Sequence, residues 1–479
     1  MKAEFNVLDR GWIPVVSRDG SRQLLGIRQT LAQAHELLEI SCPSPLEEYS
    51  LYRFLGLFLM DALRPRKRSS IRTLLREGRF DMEQIEVYIS LCKAEGVTFD
   101  LFDADRPFLQ SRYDSKTDGG EKPVSALDCT LPSGNNHTHF NHVWPAEIQP
   151  GRAAVLLLTT YLFCTAGAQG YPSGPYGAPP FFGVIKGENL FESLLAMMIP
   201  QDSIGLDFDN PPVLWRSKNA VKQKTEVGST SWMRGMLFPT RRITLIPNDK
   251  ADAVRAIYLS QGENYVNKES WRDPYTTYRS NDTSVFPLRP HADSPIWRNY
   301  CDILDIKGDH ASQMLQQYQL IHPEEEVRLT LYGVETSQAS YLTVQRHDFT
   351  LPLKLSEPDC IALMKACIYA SQQLSRSLRR ALKDLNLLSG EAETASMQIY
   401  DKLCEERFWE ICLELKKENA DKRELYREYC SAVSGYALQT FDSTLASHRL
   451  RARSLAKAEG IRSRLYNDTV KLNKKEETP

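Results

Sequence analysis

The chain has 479 residues, which is too long for one ordinary hydrophobic core, so two or three domains are expected. Hydrophobic residues make up 42% and charged residues 25% of the sequence, which excludes fibrous and disordered proteins apart from the last few residues. The formal net charge of −2 is unlike that of a free-standing DNA-binding domain, so any contact with nucleic acid must come from local basic patches on a near-neutral body.

The sequence indicates a cytoplasmic protein without membrane contact. None of the ten cysteines forms a C-x-x-C pair or lies at zinc-binding spacing from histidine, so free thiols in a reducing compartment are the simplest interpretation. The N-terminus lacks the charged and then apolar pattern of a signal peptide. No apolar run approaches the roughly 18 residues that a membrane span needs.

The first predicted elements are strands, since apolar runs are separated by turn signals at 10–11 and 19–20. A helix follows and is ended by Pro65, because its apolar residues recur at three- and four-residue spacing. A short basic run comes next, made of Arg64, Arg66, Lys67 and Arg68. This run would either contact phosphate or form a solvated helix end that complements the helix dipole.

Residues 114–150 are rich in Gly, Pro, Ser, Asn and His and have no helical or strand period, so they are predicted to form a long loop. Loops of this length inside a compact domain are usually functional or disordered. His137, His139 and His142 would be either a weak metal site or solvent-exposed polar residues. No carboxylate or cysteine beside them completes a metal site.

A buried helix is predicted at 153–163, and a glycine- and proline-rich segment follows up to Gly183. Four glycines and four prolines between Thr165 and Gly183 exclude regular structure and require a specific backbone path. The segment is either a plain connection or a place where backbone approaches a ligand closely.

The rest of the sequence predicts an α+β fold class, with a large mixed N-terminal domain and a C-terminal four-helix bundle. Alternating strands at 241–247 and 326–334 indicate antiparallel sheet. Beyond Pro352 the periodicity is helical, in four long stretches at 357–385, 392–418, 421–445 and 446–472. The predicted domains are therefore 1–353 and 354–479.

The last predicted helix carries a basic stripe. Arg449, Arg453 and Lys457 are four residues apart and share a face, with Arg451, Arg462 and Arg464 nearby. Such a stripe would either follow a DNA backbone or be a solvated surface.

A search for catalytic motifs assigns no catalytic residue, metal or cofactor. The sequence lacks the P-loop, the dinucleotide-binding glycine motif, H-E-x-x-H and the G-x-S-x-G elbow.

Four segments resemble, in order, the CasA family, the large subunit of the type I-E CRISPR surveillance complex Cascade. They are FNVLDRGWIPV (5–15), SGPYGAPPFFGVIKG (173–187), GSTSWMRGMLFPTRRITLIP (228–247) and ETSQASYLTVQRHD (335–348). The helical C-terminal part also fits this family, so the resemblance runs along essentially the whole chain.

The resemblance implies a non-catalytic protein that reads a short flanking motif, the PAM, largely through the minor groove of double-stranded DNA. It then wedges the duplex open so that guide RNA (crRNA) pairs with the target strand. The implied partners are the crRNA, the target DNA, a helicase-nuclease and the other Cascade subunits CasB, CasC, CasD and CasE.

The resemblance also implies roles for individual residues. Gln338, preceded by Ser337, falls at the wedge glutamine of the family. Phe140, with Asn141 beside it, falls at the aromatic that contacts the guide-RNA handle, where stacking on a base is worth about 1–3 kcal/mol.

The glycine loop of the family corresponds to Gly167, Ala168, Gln169 and Gly170, and it departs from the near-continuous glycine of the family. The side chains at Ala168 and Gln169 therefore put the PAM preference in question, and Gln169 could itself read a base. Lys268 is the candidate for the lysine that enters the minor groove, with a plain surface lysine as the alternative.

Two other functions stay open from the residues alone. One is a metal-dependent nuclease that uses the His137–His142 cluster, and the other is a structural scaffold subunit without nucleic-acid contact.

Overall fold

The computed structural model describes residues 3–474 except for 132–143, 166–169, 173, 218–220, 222, 292–293, 324–325, 338–339, 386–389 and 448–451. It divides into two compact units. The first consists of residues 1–292 and 306–350, and the second of residues 293–305 and 351–479.

Helices and strands alternate irregularly along the first unit, and long helices dominate the second. The helices are α1 Ile27–Ala32, α2 Pro45–Leu63, α3 Arg68–Glu77, α4 Met82–Ala94, α5 Pro150–Phe163, α6 Leu190–Ala196, α7 Trp232–Met236, α8 Tyr300–Leu304, α9 Gln313–Ile321, α10 Pro358–Leu385, α11 Gly390–Leu415, α12 Lys422–Ala446 and α13 Ala452–Lys474. The strands are β1 Ile13–Ser17, β2 Arg22–Leu25, β3 Leu37–Ile40, β4 Lys122–Pro123, β5 Phe182–Ile185, β6 Glu226–Val227, β7 Arg241–Pro247, β8 Val254–Gln261, β9 Asn264–Tyr265, β10 Tyr278–Ser280, β11 Val285–Pro287, β12 Val327–Ser337 and β13 Ser340–Leu351.

Helix α2 is the central helix of the first unit. The Ser44 side chain accepts a hydrogen bond from the Leu46 amide and caps the helix, Pro45 occupies its first turn, and Arg64 ends it in a left-handed conformation. Every residue of α2 from Leu46 onward is buried, so the helix is surrounded on all sides by other elements. The predicted helix and its end before Pro65 are confirmed.

The charged residues buried on α2 are all paired, as burial of a charge requires. Glu47 pairs with Arg152, Glu48 with Lys186 and Arg346, Arg53 with Asp273, and Asp61 with Arg64 and Arg216. These pairs join α2 to segments up to 298 residues away in sequence.

The sheets of the first unit are small. Strand β8 pairs with β7 and β4 in antiparallel orientation, with Arg241 opposite Gln261 and Leu245 opposite Ile257. A second sheet has the order β13-β12-β5, and a third has the order β2-β1-β3. The strand predicted at 241–247 is confirmed at its full length, and the one predicted at 326–334 forms most of β12.

The second unit contains the predicted helical bundle. Helix α10 packs against α11, α12 and α13, and α12 also packs against α11 and α13. Its core includes Leu374, Tyr400, Phe408 and Phe441. The α+β fold class with antiparallel sheets and C-terminal helices is therefore confirmed. Within the described residues, no helix combines the length and apolarity needed to cross a membrane.

The segment 293–305 also belongs to the second unit, although it lies far from the other residues of that unit in sequence. Trp297 and Tyr300 pack their rings against Phe408, with ring centroids 5.2 and 6.1 Å apart. Arg298 forms an ion pair with Asp401 on α11. This segment therefore adds a short helix, α8, to the core of the bundle. That helix lies outside the four helical stretches that were predicted beyond Pro352.

Candidate functional site

Several residues singled out in the sequence lie outside the described residues. They are Gly167, Ala168, Gln169, Gln338, Phe140, Asn141, Arg449, Arg451 and the histidines His137, His139 and His142, and the side chain of Arg453 also falls outside. Ser337, Gly170, Lys268 and Lys457 are described. Ser337, Gly170 and Lys268, together with the described residues around them, define the site.

The glycine-rich segment after α5 turns sharply at two glycines. Gly170 and Gly177 have φ values of +74° and +73°, which residues with a β-carbon rarely adopt. A β-carbon at Gly170 would lie 3.0 Å from Gln261 Nε2 on β8. The Gly177 amide donates to the Gly174 carbonyl at 3.1 Å, which closes a tight turn. The absence of side chains is thus needed for the backbone path itself.

Lys268 lies beside this turn. A β-carbon on Gly177 would be 3.6 Å from Lys268 Nζ and 3.7 Å from Arg289 Nη2. Arg289 also donates to the carbonyls of Tyr176 and Ala178, at 3.0 and 3.3 Å. Lys268 is exposed, so its ammonium group is available to solvent next to the backbone of Gly177.

Arg241, the first residue of β7, binds the glycine-rich segment at its start and near its middle. Its guanidinium donates to the Thr165 carbonyl at 2.7 Å and to the Pro172 carbonyl at 3.1 Å. It also stacks over the Tyr171 ring at 4.1 Å. Its side chain is buried and its charge is bound to carbonyls, so it fixes Thr165 and Pro172 relative to each other. Sequence reasoning missed it, and the only signal was a pair of arginines at the start of a predicted strand.

Four cations surround the glycine-rich segment: Lys122, whose Nζ lies 3.1 Å from the Tyr171 hydroxyl, and Arg241, Lys268 and Arg289. Within the described part of the chain, none of the four forms an ion pair with a carboxylate. The neighbouring Arg242 differs, because it holds Asp118 through two hydrogen bonds of 3.0 Å. The segment therefore lies in an excess of positive charge that attracts anions.

The hairpin formed by β12 and β13 ends beside the start of the glycine-rich segment. Strand β12 ends at Ser337, which is exposed, and β13 begins at Ser340, so the predicted wedge position lies between them. The Tyr341 hydroxyl donates to the Phe163 carbonyl at 2.8 Å and accepts from the Thr165 amide at 3.1 Å. The end of the hairpin is thus attached to the residues that open the glycine-rich segment.

Two cysteines complete this contact. The Cys129 and Cys164 thiols hydrogen-bond to each other, and this bond together with the charge of Arg241 lowers the pKa of Cys164 to about 7. The same bond and burial raise the pKa of Cys129, which also lies near the Tyr341 hydroxyl. We call Cys129, Phe163, Cys164, Thr165 and Tyr341 the loop junction, because they bring together the end of α5, the start of β13 and the loop that contains Cys129.

The other basic patches differ from this one. Lys457 is exposed on α13, but its neighbours Arg462 and Arg464 are paired with Asp442 and Asp384. Arg64 is paired with Asp61 and Asp209, whereas Arg66, Lys67 and Arg68 are exposed. Among the described residues, no group of three or more His, Cys, Asp or Glu side chains is arranged to hold a metal ion.

Comparison with known proteins points to one family. The model of the family described as CRISPR-associated protein Cse1 matches residues 6–440. The CRISPR-associated protein CasA/Cse1 of Thermus thermophilus is 27% identical over 403 residues, which cover 80% of this chain and 78% of that protein.

Solved structures of similar fold agree. The structure of Thermus thermophilus CasA (Cse1) superimposes with a TM-score of 0.76 at 25% identity, and the match covers 96% of this chain and 99% of that one. A chain of a CRISPR RNA-guided surveillance complex gives a TM-score of 0.78 at 20% identity, covering 97% of this chain and 100% of that one.

Proposed function

The chain belongs to the CRISPR-associated protein Cse1 family, also called CasA, and on that premise we propose that it is the large subunit of a type I-E Cascade complex. In this role it recognises the PAM in double-stranded DNA, wedges the duplex open to start guide-RNA pairing and R-loop formation, and helps to recruit the helicase-nuclease. It performs no catalysis itself.

The observation that carries this proposal is the excess of positive charge around the turn at Gly177. Lys268 and Arg289 lie against Gly177, and neither is neutralised by a carboxylate among the described residues. A duplex presents a dense row of phosphates, which cations of this kind bind with release of counterions. The minor groove is narrow, and backbone without side chains can enter it where bulkier surface cannot.

Strand opening is assigned to the hairpin. Gln338, with Ser337 before it, would insert beside the first base pairs after the PAM while the cations hold the duplex. Opening one base-pair step costs about 1.4 kcal/mol of stacking on average, so a small wedge suffices once the duplex is held. The Tyr341 contact supports this assignment, because it keeps the hairpin next to the glycine-rich segment.

The remaining partners are assigned to other surfaces. Phe140 and Asn141 would contact the guide-RNA handle, and they lie in the same predicted loop, 114–150, as Cys129 of the loop junction. Arg449, Arg453 and Lys457 would follow the DNA backbone away from the PAM. CasB, CasC, CasD and CasE would complete the complex around the guide RNA.

Replacing Lys268 with alanine is expected to weaken binding of the assembled complex to a PAM-bearing duplex about five- to tenfold, because one solvent-exposed contact worth about 1–1.4 kcal/mol is lost. Binding to a duplex without a PAM should change less. Fluorescence anisotropy at one fixed salt concentration measures both affinities, since phosphate contacts make them salt-dependent. The control is Lys93→Ala, which removes an exposed lysine on α4. Equal affinities for the two variants would show that Lys268 is an ordinary surface lysine.

Replacing Gln338 with alanine is expected to slow opening of a PAM-bearing duplex about tenfold and to leave complex assembly intact, because the stacking energy of one step is no longer replaced. A 2-aminopurine base next to the PAM reports opening by its fluorescence. Opening at the parental rate would refute the wedge.

Two other experiments test the alternative functions. Cleavage of DNA by the isolated chain that a chelator abolishes would favour a metal-dependent nuclease. A complex whose DNA affinity and salt dependence are unchanged when the chain is removed would indicate a scaffold.

A further inference from the structure

We propose that Tyr341 is a positioning residue whose hydroxyl holds the wedge hairpin against the glycine-rich segment, so that PAM recognition and strand opening occur in one fixed register. This inference rests on the proposed function and extends it to a residue that touches neither base nor phosphate in the argument above.

The Tyr341 hydroxyl makes two hydrogen bonds to the backbone at the end of α5. Tyr341 donates its proton to the Phe163 carbonyl, at the last residue of α5, and accepts from the Thr165 amide two residues later. The two bonds grip the backbone on both sides of Cys164. The α5 helix ends there, and the Cys164 amide is already bonded to the Thr160 carbonyl inside the helix. Tyr341 therefore takes the next groups that the helix end leaves unpaired.

The neighbouring residues of β13 explain why one hydroxyl matters. Ser340, Leu342, Thr343 and Val344 are all exposed, and Leu342 retains 58% of its accessible surface. Strand β13 also lies at the edge of its sheet. Near the hairpin end, β13 thus has little packing to fix its position. Tyr341, which is half-buried, is the residue of this stretch that reaches the rest of the unit.

The opposite side of the contact is held by several elements of the first unit. Arg241 holds the Thr165 carbonyl while Tyr341 holds the Thr165 amide, so both polar groups of that residue are bound from different elements. Helix α5 itself is buried and packs against α2. Tyr341 therefore fixes the position of the hairpin relative to Thr165, at the start of the glycine-rich segment. Without the hydroxyl, the ring would remain, but the wedge would sample several positions relative to the held duplex.

The test is Tyr341→Phe in the assembled complex, which removes one oxygen and keeps the ring. We expect affinity for the PAM-bearing duplex to stay within about twofold, because the cations are untouched. Opening of the first base pairs should slow about three- to tenfold, as expected for losing one or two hydrogen bonds. The control is Tyr369→Phe, which removes the hydroxyl of an exposed tyrosine on α10.

Two further readouts separate positioning from a general loss of structure. Hydrogen exchange of the Thr165 amide should be faster in Tyr341→Phe than in the parent, because this amide loses its acceptor. In a Gln338→Ala background, Tyr341→Phe should add little further slowing, because both changes disable the same wedge.

The inference is overturned if Tyr341→Phe opens DNA at the parental rate while Gln338→Ala slows it. It is also overturned if the Thr165 amide exchanges no faster in Tyr341→Phe than in the parent. The same holds if the slowing in the double variant equals the product of the slowing in the two single variants. If neither Gln338→Ala nor Lys268→Ala has any effect, the proposed function fails as well, and the failure is then traced to that premise rather than to Tyr341.

Discussion

Replacing Arg53 with methionine lowers the expected free energy of unfolding of the first unit by about 3–5 kcal/mol, because it leaves a buried carboxylate without its partner. Arg53 and Asp273 both have 0% of their side-chain surface exposed. The guanidinium binds Asp273 through two hydrogen bonds of 2.6 and 3.1 Å, and it also donates to the Tyr49 hydroxyl and the Met236 carbonyl. Urea denaturation followed by tryptophan fluorescence measures the loss.

Two controls define the cause. The double variant Arg53→Met/Asp273→Leu should recover part of the stability, because no unpaired charge then remains buried. Arg255→Met breaks a solvent-exposed pair with Glu121 and should change stability little. If Arg53→Met cost no more than Arg255→Met, the central role of the buried pair would be wrong.

The Arg53–Asp273 pair also bears on the site. Asp273 lies five residues after Lys268, and the Tyr275 carbonyl accepts from the Gly183 amide at 2.8 Å. The segment that carries Lys268 is therefore anchored to α2 on one side and to the end of the glycine-rich segment on the other. We infer that the position of Lys268 depends on this buried pair.

Replacing Arg241 with methionine is expected to weaken binding of the assembled complex to a PAM-bearing duplex by roughly 10–100-fold. The variant removes one of the four cations and leaves the carbonyls of Thr165 and Pro172, in the first half of the glycine-rich segment, without their donor. Each hydrogen bond to a charged group is worth about 1.5–3 kcal/mol, so losing two changes the backbone path and not only the charge. Anisotropy titrations with and without a PAM measure the effect.

The neighbouring Arg242 is the matched control. It is also buried on β7, but successive strand residues point to opposite faces, and Arg242 binds Asp118 instead of the glycine-rich segment. Arg242→Met should lower stability while leaving the preference for a PAM-bearing duplex intact. Equal losses of PAM preference in both variants would show that Arg241 acts only through general stability.

Local patterns predicted much of this fold. The apolar spacing of 46–63 and the proline after it specified α2, and the four helical stretches beyond residue 352 reappear as α10 to α13 with ends shifted by a few residues. Within the described residues 170–172 and 174–181 the path is irregular, as the density of glycine and proline predicted, because φ values above zero and missing amide donors are properties of single residues.

Other features depend on residues that are distant in sequence. Arg241 meets Thr165 across 76 positions and Tyr341 meets Phe163 across 178, and neither residue differs in the sequence from an arginine or tyrosine in any strand. The segment 293–305 joins the second unit for the same reason, because Arg298 meets Asp401 across 103 positions and Trp297 packs against Phe408.

By itself, the sequence determined the family, the fold class, most element positions and the segments expected to meet DNA, because periodicity, turn residues and ordered motifs are encoded within short windows. Only the tertiary structure decided that Lys268 lies beside Gly177, that Arg241 binds the Thr165 carbonyl and that Tyr341 binds the end of α5. These contacts join residues about 70 to 180 positions apart in sequence. The free energy that selects them comes from burial and hydrogen bonding in the whole unit.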